Sequence, residues 1–348
     1  MHVADNVVQD ILHRSENLDH ALFAVGIEIL PFELIGVIIG SDGAKLGTRR
    51  RILAHMDVDY IVDNISELAG YLTTTSVGLD LPSPRVTLGL QVGGPVDTAT
   101  GVVRFYSNHP TDRSIRLRDE VYEWDKDVPL ARLVEDATGC PTFVENDAHA
   151  FATYEQKLGI GRSTSSFALI LIRDGIGGGV VIDNRLLSVP MEIGHSQVVP
   201  DGRVCDCGNN GCLDSYASPR AIRAIVGERT KTESVQSLDR AIALANSNHE
   251  ILAVFEEAGK SVALGAATIL TLFGPSHLVI YGPDQLIGAA PESTAVNHFM
   301  QQLNQFREYA YPVVRKCDLV LETLSGRLDR GAHGAGLIAL NRQFLVSL

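Results

Sequence analysis

Cations, aromatics and sulfur are all scarce in this chain of 348 residues. Lysine and arginine together number 29 against 42 aspartates and glutamates, a formal charge of −13. A chain this acidic repels nucleic acid on average, so contact with DNA would need a local basic module. The densest basic run, Arg49-Arg50-Arg51, ends a predicted strand and reads as a solvated edge. Aromatic residues make up 6% of the chain, with a single tryptophan, and the five cysteines are too few for a disulfide scaffold. A long hydrophobic run is missing too. The most apolar long stretch, 23–40, carries Glu28, Pro31 and Glu33 at its centre, which excludes a membrane span. The opening MHVADNVVQD has no basic region followed by an apolar one, so no signal peptide is read and a cytoplasmic location is expected. What remains, 45% hydrophobic and 20% charged, is the profile of a globular protein. The length suits two domains of roughly 150 residues each.

The pattern is that of two similar halves. From Phe23 the chain runs FAVGIEIL-PF-ELIGVIIG-SDG, a hairpin of β-branched runs, followed by a third strand near Ala44 to Leu53. Ile61, Ile65, Leu68 and Leu72 recur at helical spacing. A strand is predicted from Arg85 to Val92, closed by Gly93-Gly94-Pro95, then a helix from Leu130 to Thr138 and a strand from Thr142 to Glu145. In the second half, Ser166 to Ile172 and Gly179 to Leu187 are predicted to form a hairpin around the glycine run Gly175–Gly179. A helix from Ile251 to Phe273, a strand from His277 to Tyr281 and a small-residue helix with Ala332, Ala335 and Leu337 follow. Hairpins alternating with helices mean an α/β fold, two sheets each flanked by helices. A short helix is also expected over Asp10 to Arg14.

Three of the five cysteines, Cys205, Cys207 and Cys212, fall within eight residues and follow His195. Zinc favours four thiolate and imidazole ligands, and a Cys-x-Cys turn presents two sulfurs at once. Gly208 and Gly211 let the chain bend back so that Cys212 reaches the same ion. A closed His-Cys-Cys-Cys set has no open position, so the metal is expected to be structural. Cys140 and Cys317 are isolated and read as small core residues.

The segment Glu192-Ile193-Gly194-His195, followed by Cys205-Asp206-Cys207-Gly208-Asn209-Asn210-Gly211-Cys212-Leu213-Asp214, resembles the signature of the ROK family of bacterial sugar kinases and sugar-responsive repressors. The likeness continues through Glu145-Asn146-Asp147-Ala148 and Gly175-Ile176-Gly177-Gly178-Gly179, covering roughly residues 23 to 340. It implies an actin-like (ribonuclease H-like) two-domain sugar-kinase fold with a zinc site. The expected division is an extension over 1–22, a first domain over 23–147 to which a helix at 332–348 returns, and a second domain over 148–331 with the zinc loop at 195–212. By position the resemblance assigns the sugar to Gly94, Asn146, Asp147, Glu192, His195 and Asp214, and the metal to His195, Cys205, Cys207 and Cys212. A hexose offers hydroxyls that donate and accept, which suits carboxylates and an amide. The family usually has glutamate where Asp214 stands. Taken singly, Asp147 reads first as a helix N-cap, Glu192 as a solvated loop acid and Asn146 as a strand end.

The nucleotide elements depart from the kinase pattern. Where family kinases have Asp-x-Gly-Gly-Thr, this chain has Glu28-Ile29-Leu30-Pro31-Phe32, and Pro31 removes an amide donor. Where they have Gly-Thr-Gly-x-Gly, it has Arg173-Asp174-Gly175-Ile176-Gly177, and a third glycine turn has become Tyr281-Gly282-Pro283. ATP and magnesium are therefore not expected as cofactors, and the resemblance is nearest the regulator branch. Its winged helix-turn-helix needs more than the residues ahead of Phe23, so DNA binding would require a segment this chain does not show. The expected ligands are a hexose or amino sugar in an interdomain cleft and structural zinc, in a homo-oligomer, dimer or tetramer. The alternative is an ATP-dependent hexose or amino-sugar kinase with Asp147 as catalytic base.

Overall fold

A computed structural model describes residues 22–104, 127–187, 189, 191–231, 235–288, 292–325 and 329–346. The expected helix at Asp10–Arg14 and nearly all of the 1–22 extension lie outside them. The chain divides into two units: one runs to Asn146 and takes back the chain from Asp329, the other runs from Asp147 to Leu328. Asp147, placed by sequence at the end of the first domain, thus opens the second unit, and 329–331 belong to the first. Among the described residues, no helix is long and apolar enough to cross a membrane.

The first unit holds strands β1 (Phe23–Leu30), β2 (Glu33–Gly40), β3 (Lys45–Ile52), β4 (Val86–Val92), the short pair β5 (Val96–Asp97) and β6 (Val102–Val103), and β7 (Thr142–Asn146). Its main sheet is ordered β3-β2-β1-β4-β7. β1 pairs antiparallel with β2 and parallel with β4, and β4 pairs parallel with β7. Odd positions of β1 (Phe23, Val25, Ile27, Ile29) and even positions of β4 (Val86, Leu88, Leu90, Val92) join one core with helices α1 (Val58–Val77) and α2 (Leu130–Thr138). That alternation is the two-residue period of a sheet covered on both faces. The opposite face carries the C-terminal helix, called α6 below (Arg330–Val346), through Ala24, Ala332, Leu337, Ala339 and Leu340.

The second unit opens with α3 (Asp147–Leu158), followed by β8 (Phe167–Ile172), β9 (Ile176–Ile182), β10 (Arg185–Leu186), α4 (Pro219–Thr230), α5 (His249–Phe273), β11 (His277–Gly282) and β12 (Asp318–Thr323). The sheet order β10-β9-β8-β11-β12 repeats that of the first unit. One detail corrects the sequence reading. The strand predicted from Gly179 begins three residues earlier: Gly177 and Gly178 are not in the hairpin turn but inside β9 with Gly179, paired with Leu171, Ile170 and Leu169 in turn. The turn is tighter, with Arg173 N donating to Gly175 O at 2.8 Å. The glycines serve packing: a Cβ on Gly177 would stand 3.1 Å from Ala148 Cβ, and one on Gly179 3.0 Å from Ala152 Cβ, so bare backbone lets α3 lie close on the strand.

Buried Tyr281 of β11 donates its hydroxyl to Glu155 of α3, whose other oxygen accepts from Ile160 N at 3.0 Å. Tyr281→Phe is expected to lower stability by about 1–3 kcal/mol, because a buried carboxylate oxygen loses a donor it cannot replace from water. The shift of the thermal unfolding midpoint measures it; a change within experimental scatter would show that this bond adds nothing net.

Candidate functional site

The segment 193–214 is a loop knotted by its own backbone. Val198 N and Val199 N both donate to Gly211 O, Gly211 N to Arg203 O, Cys205 N to Asn209 O, and Leu213 N to Ser196 O, at 2.7–3.2 Å. Gly211 is required twice over, by its φ of 74° and because a Cβ there would fall 1.7 Å from Val199 O. Folding the loop this way gathers His195, Cys205, Cys207 and Cys212, whose donor atoms all lie within 4.8 Å of one another. His195 Nδ1 is 3.5 Å from Cys205 Sγ, and Cys207 Sγ is 3.7 Å from Cys212 Sγ. A disulfide would bring sulfurs to about 2.05 Å, so these are separate thiols. A tetrahedron with Zn–S bonds of about 2.3 Å and Zn–N of about 2.05 Å has S···S and N···S edges of about 3.8 and 3.5 Å. The donor set thus fits a metal ion in both chemistry and size.

Three carboxylates lie near this loop in the second unit. Asp147 is the first residue of α3, and its Oδ1 accepts from Ala148 N at 2.8 Å; the carboxylate is buried at the helix N-terminus. Burial pushes its carboxyl up from the ordinary range, against the opposing pull of Arg173 and His149. Glu192 is exposed, yet partial desolvation by its surroundings raises its carboxyl, with His195 favouring its charge and Asp147 opposing it. Asp214 is raised by burial too, countered by Arg220, by His195 and by the nearby Ile176 amide. Its Oδ2 accepts from Arg220 Nη2 at 2.9 Å, while its buried Oδ1 has no hydrogen-bond partner of good geometry. The start of β9 borders two of these acids: a Cβ on Gly175 would stand 3.5 Å from Asp214 Oδ1, and one on Gly177 3.6 Å from Asp147 Oδ1. The structure therefore brings three carboxylate acceptors, Asp147, Glu192 and Asp214, into one electrostatic neighbourhood around His195.

The other two residues singled out by sequence belong to the first unit. Asn146 ends β7, and its Nδ2 donates to Gly94 O at 3.0 Å. Gly94 has a φ of 107°, a conformation that only glycine adopts readily.

Two arginines escaped the sequence reading. Arg173 stands over the Phe151 ring, 4.9 Å from its centroid, and stabilises the charge on Asp147. Its signal was available, since it occupies the first glycine position of the kinase-type loop. Arg220 of α4 joins Asp214 to Asp206, the residue between two of the cysteines. Nothing in its sequence context marks that role.

The elements that depart from the kinase pattern have partners of their own. Asp174 Oδ1 is 3.7 Å from Arg223 Nη2 of α4. The Leu30–Glu33 turn closes β1 on β2, with Phe32 at a φ of 58° and its amide directed at Met56 Sδ, 3.1 Å away. Tyr281 is buried against α3, as described above.

Comparison with known proteins gives concordant results. The sequence profile of the ROK family matches residues 77–341, about three quarters of the chain. A glucokinase of Thermotoga maritima is 34% identical over 211 residues, 57% of this chain and 61% of that protein. The DNA-binding transcriptional repressor Mlc of Escherichia coli K12 is 28% identical over 245 residues, 67% of this chain and 53% of that protein. The chain thus spans less than two thirds of the length of either. Among solved structures, a ROK hexokinase from Thermus thermophilus superposes with a TM-score of 0.74 at 23% identity, over 92% of this chain and 99% of that one, which shows a common fold.

Proposed function

The chain belongs to the ROK family, whose members related to it include both repressors and glucokinases, and we propose that it is a sugar-sensing regulator or the effector part of one. The observation that carries this reading is the second phosphate loop. Arg173 and Asp174 stand where a phosphate cradle needs glycine and a hydroxyl, and each is engaged by the chain itself, on Phe151 and with Arg223. A carboxylate there repels a phosphate. The Leu30-Pro31 turn supports the same reading, since proline contributes no amide and leucine keeps a phosphate from the backbone.

The sugar would be held by Asp147, Glu192 and Asp214 as hydroxyl acceptors and by His195 through Nε2, leaving Nδ1, 3.5 Å from Cys205 Sγ, for the metal. Asn146 and Gly94 are proposed as further contacts. The buried Asp214 Oδ1, which lacks a hydrogen bond of good geometry, is what a bound hydroxyl would satisfy. His195, Cys205, Cys207 and Cys212 would hold a structural zinc, which supplies a fixed loop and a fixed histidine tautomer. Signal output would pass through a homo-oligomer, and to DNA only through a helix-turn-helix.

A kinase is the second reading, favoured by the likeness to glucokinases and by a buried Asp147 placed to take a proton from a sugar hydroxyl. Calorimetric titration with magnesium and a non-hydrolysable ATP analogue, then with D-glucose, D-xylose and N-acetyl-D-glucosamine, separates the two. The regulator reading expects sugar binding and no saturable nucleotide binding down to about 4 kcal/mol, a Kd near 1 mM. Tighter nucleotide binding, with sugar-dependent ADP formation that disappears in Asp147→Asn, would establish the kinase instead.

A further inference from the structure

Arg342, near the end of α6, is tied to two separate parts of the first unit. Its Nη1 donates to Thr98 O at 2.7 Å, just beyond β5, and its Nη2 lies 3.2 Å from Glu145 Oε2 on β7. Glu145 in turn accepts through Oε1 from Asn146 N at 3.1 Å, and Asn146 Nδ2 is committed to Gly94 O. One guanidinium therefore sets the end of β7 and the loop after β5 against each other, and the Asn146 amide is oriented at the end of that chain of bonds. The forked geometry matters, because two acceptors in different elements are reached at once.

The surroundings argue against a purely structural tie. Glu145 is in register with Gln91, and Gln91 with Glu28, so a row of three buried polar side chains crosses the face that carries α6. Gln91 Nε2 and Oε1 are buried without a hydrogen-bond partner. Apolar residues in that row would pack a helix more cheaply, and a buried ion pair adds little net stability while it can fix a geometry.

We propose that Arg342 is a positioning residue for the Asn146–Gly94 pair, holding the amide and the loop backbone in the arrangement that meets the sugar. This rests on the sugar-binding reading above. The test compares the wild-type chain with Arg342→Met and Arg342→Lys in two measurements. The first is calorimetric affinity for D-glucose and D-xylose; the second is hydrogen exchange of peptides spanning 94–98 and 142–148. Arg342→Met is expected to weaken whichever sugar binds the wild type by about tenfold and to speed exchange in both peptides. Arg342→Lys, which keeps the charge but reaches one acceptor at a time, should fall between. Adding Glu145→Gln to Arg342→Met should weaken binding no further. Unchanged affinity with unchanged exchange overturns the proposal, and so does a lowered unfolding midpoint with neither readout moved. If neither sugar binds the wild type, the sugar reading fails for them, and exchange alone decides: faster exchange upholds the clamp, and unchanged exchange removes it.

Discussion

Cys212→Ser is expected to lower the unfolding midpoint by roughly 10 °C and to make it insensitive to chelators. Cys212 is buried, its sulfur stands at tetrahedral-edge distance from Cys207, and its backbone pairs with Gln197. With free zinc about a thousandfold above the dissociation constant, binding to the native state alone contributes about 4 kcal/mol. For a unit of this size each kcal/mol is worth about 2–4 °C. The same loop carries His195 and leads into Asp214, so the variant should lose sugar affinity along with stability. The check is the wild type measured with bound zinc, after chelation and after zinc is returned. A wild-type midpoint that ignores both treatments would mean that the four donors hold no metal in solution.

Gly89→Ala should be nearly as damaging, by a different route. Gly26 and Gly89 are register partners on β1 and β4, directly beneath α6. A Cβ on Gly89 would fall 2.0 Å from Ala335 O, and one on Gly26 1.8 Å from Ala332 O. Both obstacles are helix backbone, which cannot swing aside as a side chain can. The helix must lift by about 1 Å, opening the packing of Ala332, Leu337 and Ala339, and overpacking of this kind costs about 3 kcal/mol. Gly70→Ala is the internal control. It lies inside α1 with nothing within 4 Å of the added carbon, and should stabilise by about 0.5–1 kcal/mol. Denaturant midpoints for the two variants should move in opposite directions. If Gly89→Ala leaves the midpoint unchanged, α6 does not rest on these strands as described.

Much of the local structure was legible because single stretches carried their own cause. The short β-branched runs of β1 and β2, divided by Pro31, read as strands and are strands, and the helix from Leu130 to Thr138 begins and ends where its sequence pattern does. The glycine run was misplaced for a physical reason. Glycine in a chain suggests a turn, but Gly177 and Gly179 are glycine because α3 lies on them, and α3 is not a local neighbour of β9. The donor set His195, Cys205, Cys207 and Cys212 was legible because ligand type and spacing sit in one short segment. The partners of Arg220 and Arg342 were not, since an arginine's partner is chosen by the fold; Arg173 stood out as a departure from the loop pattern, but its place over Phe151 did not.

The sequence by itself thus determined the α/β character and the gathering of four metal-type donors in one loop, because each depends on residues close in the chain. Only the tertiary structure decided that Asp147 and Asp214 flank the start of β9, that Asp214 keeps one buried oxygen without a hydrogen bond of good geometry, and that Arg342 reaches Glu145 and Thr98 together. Those facts depend on strands and helices from distant parts of the chain meeting at a few ångströms, a distance that spacing along a sequence does not encode.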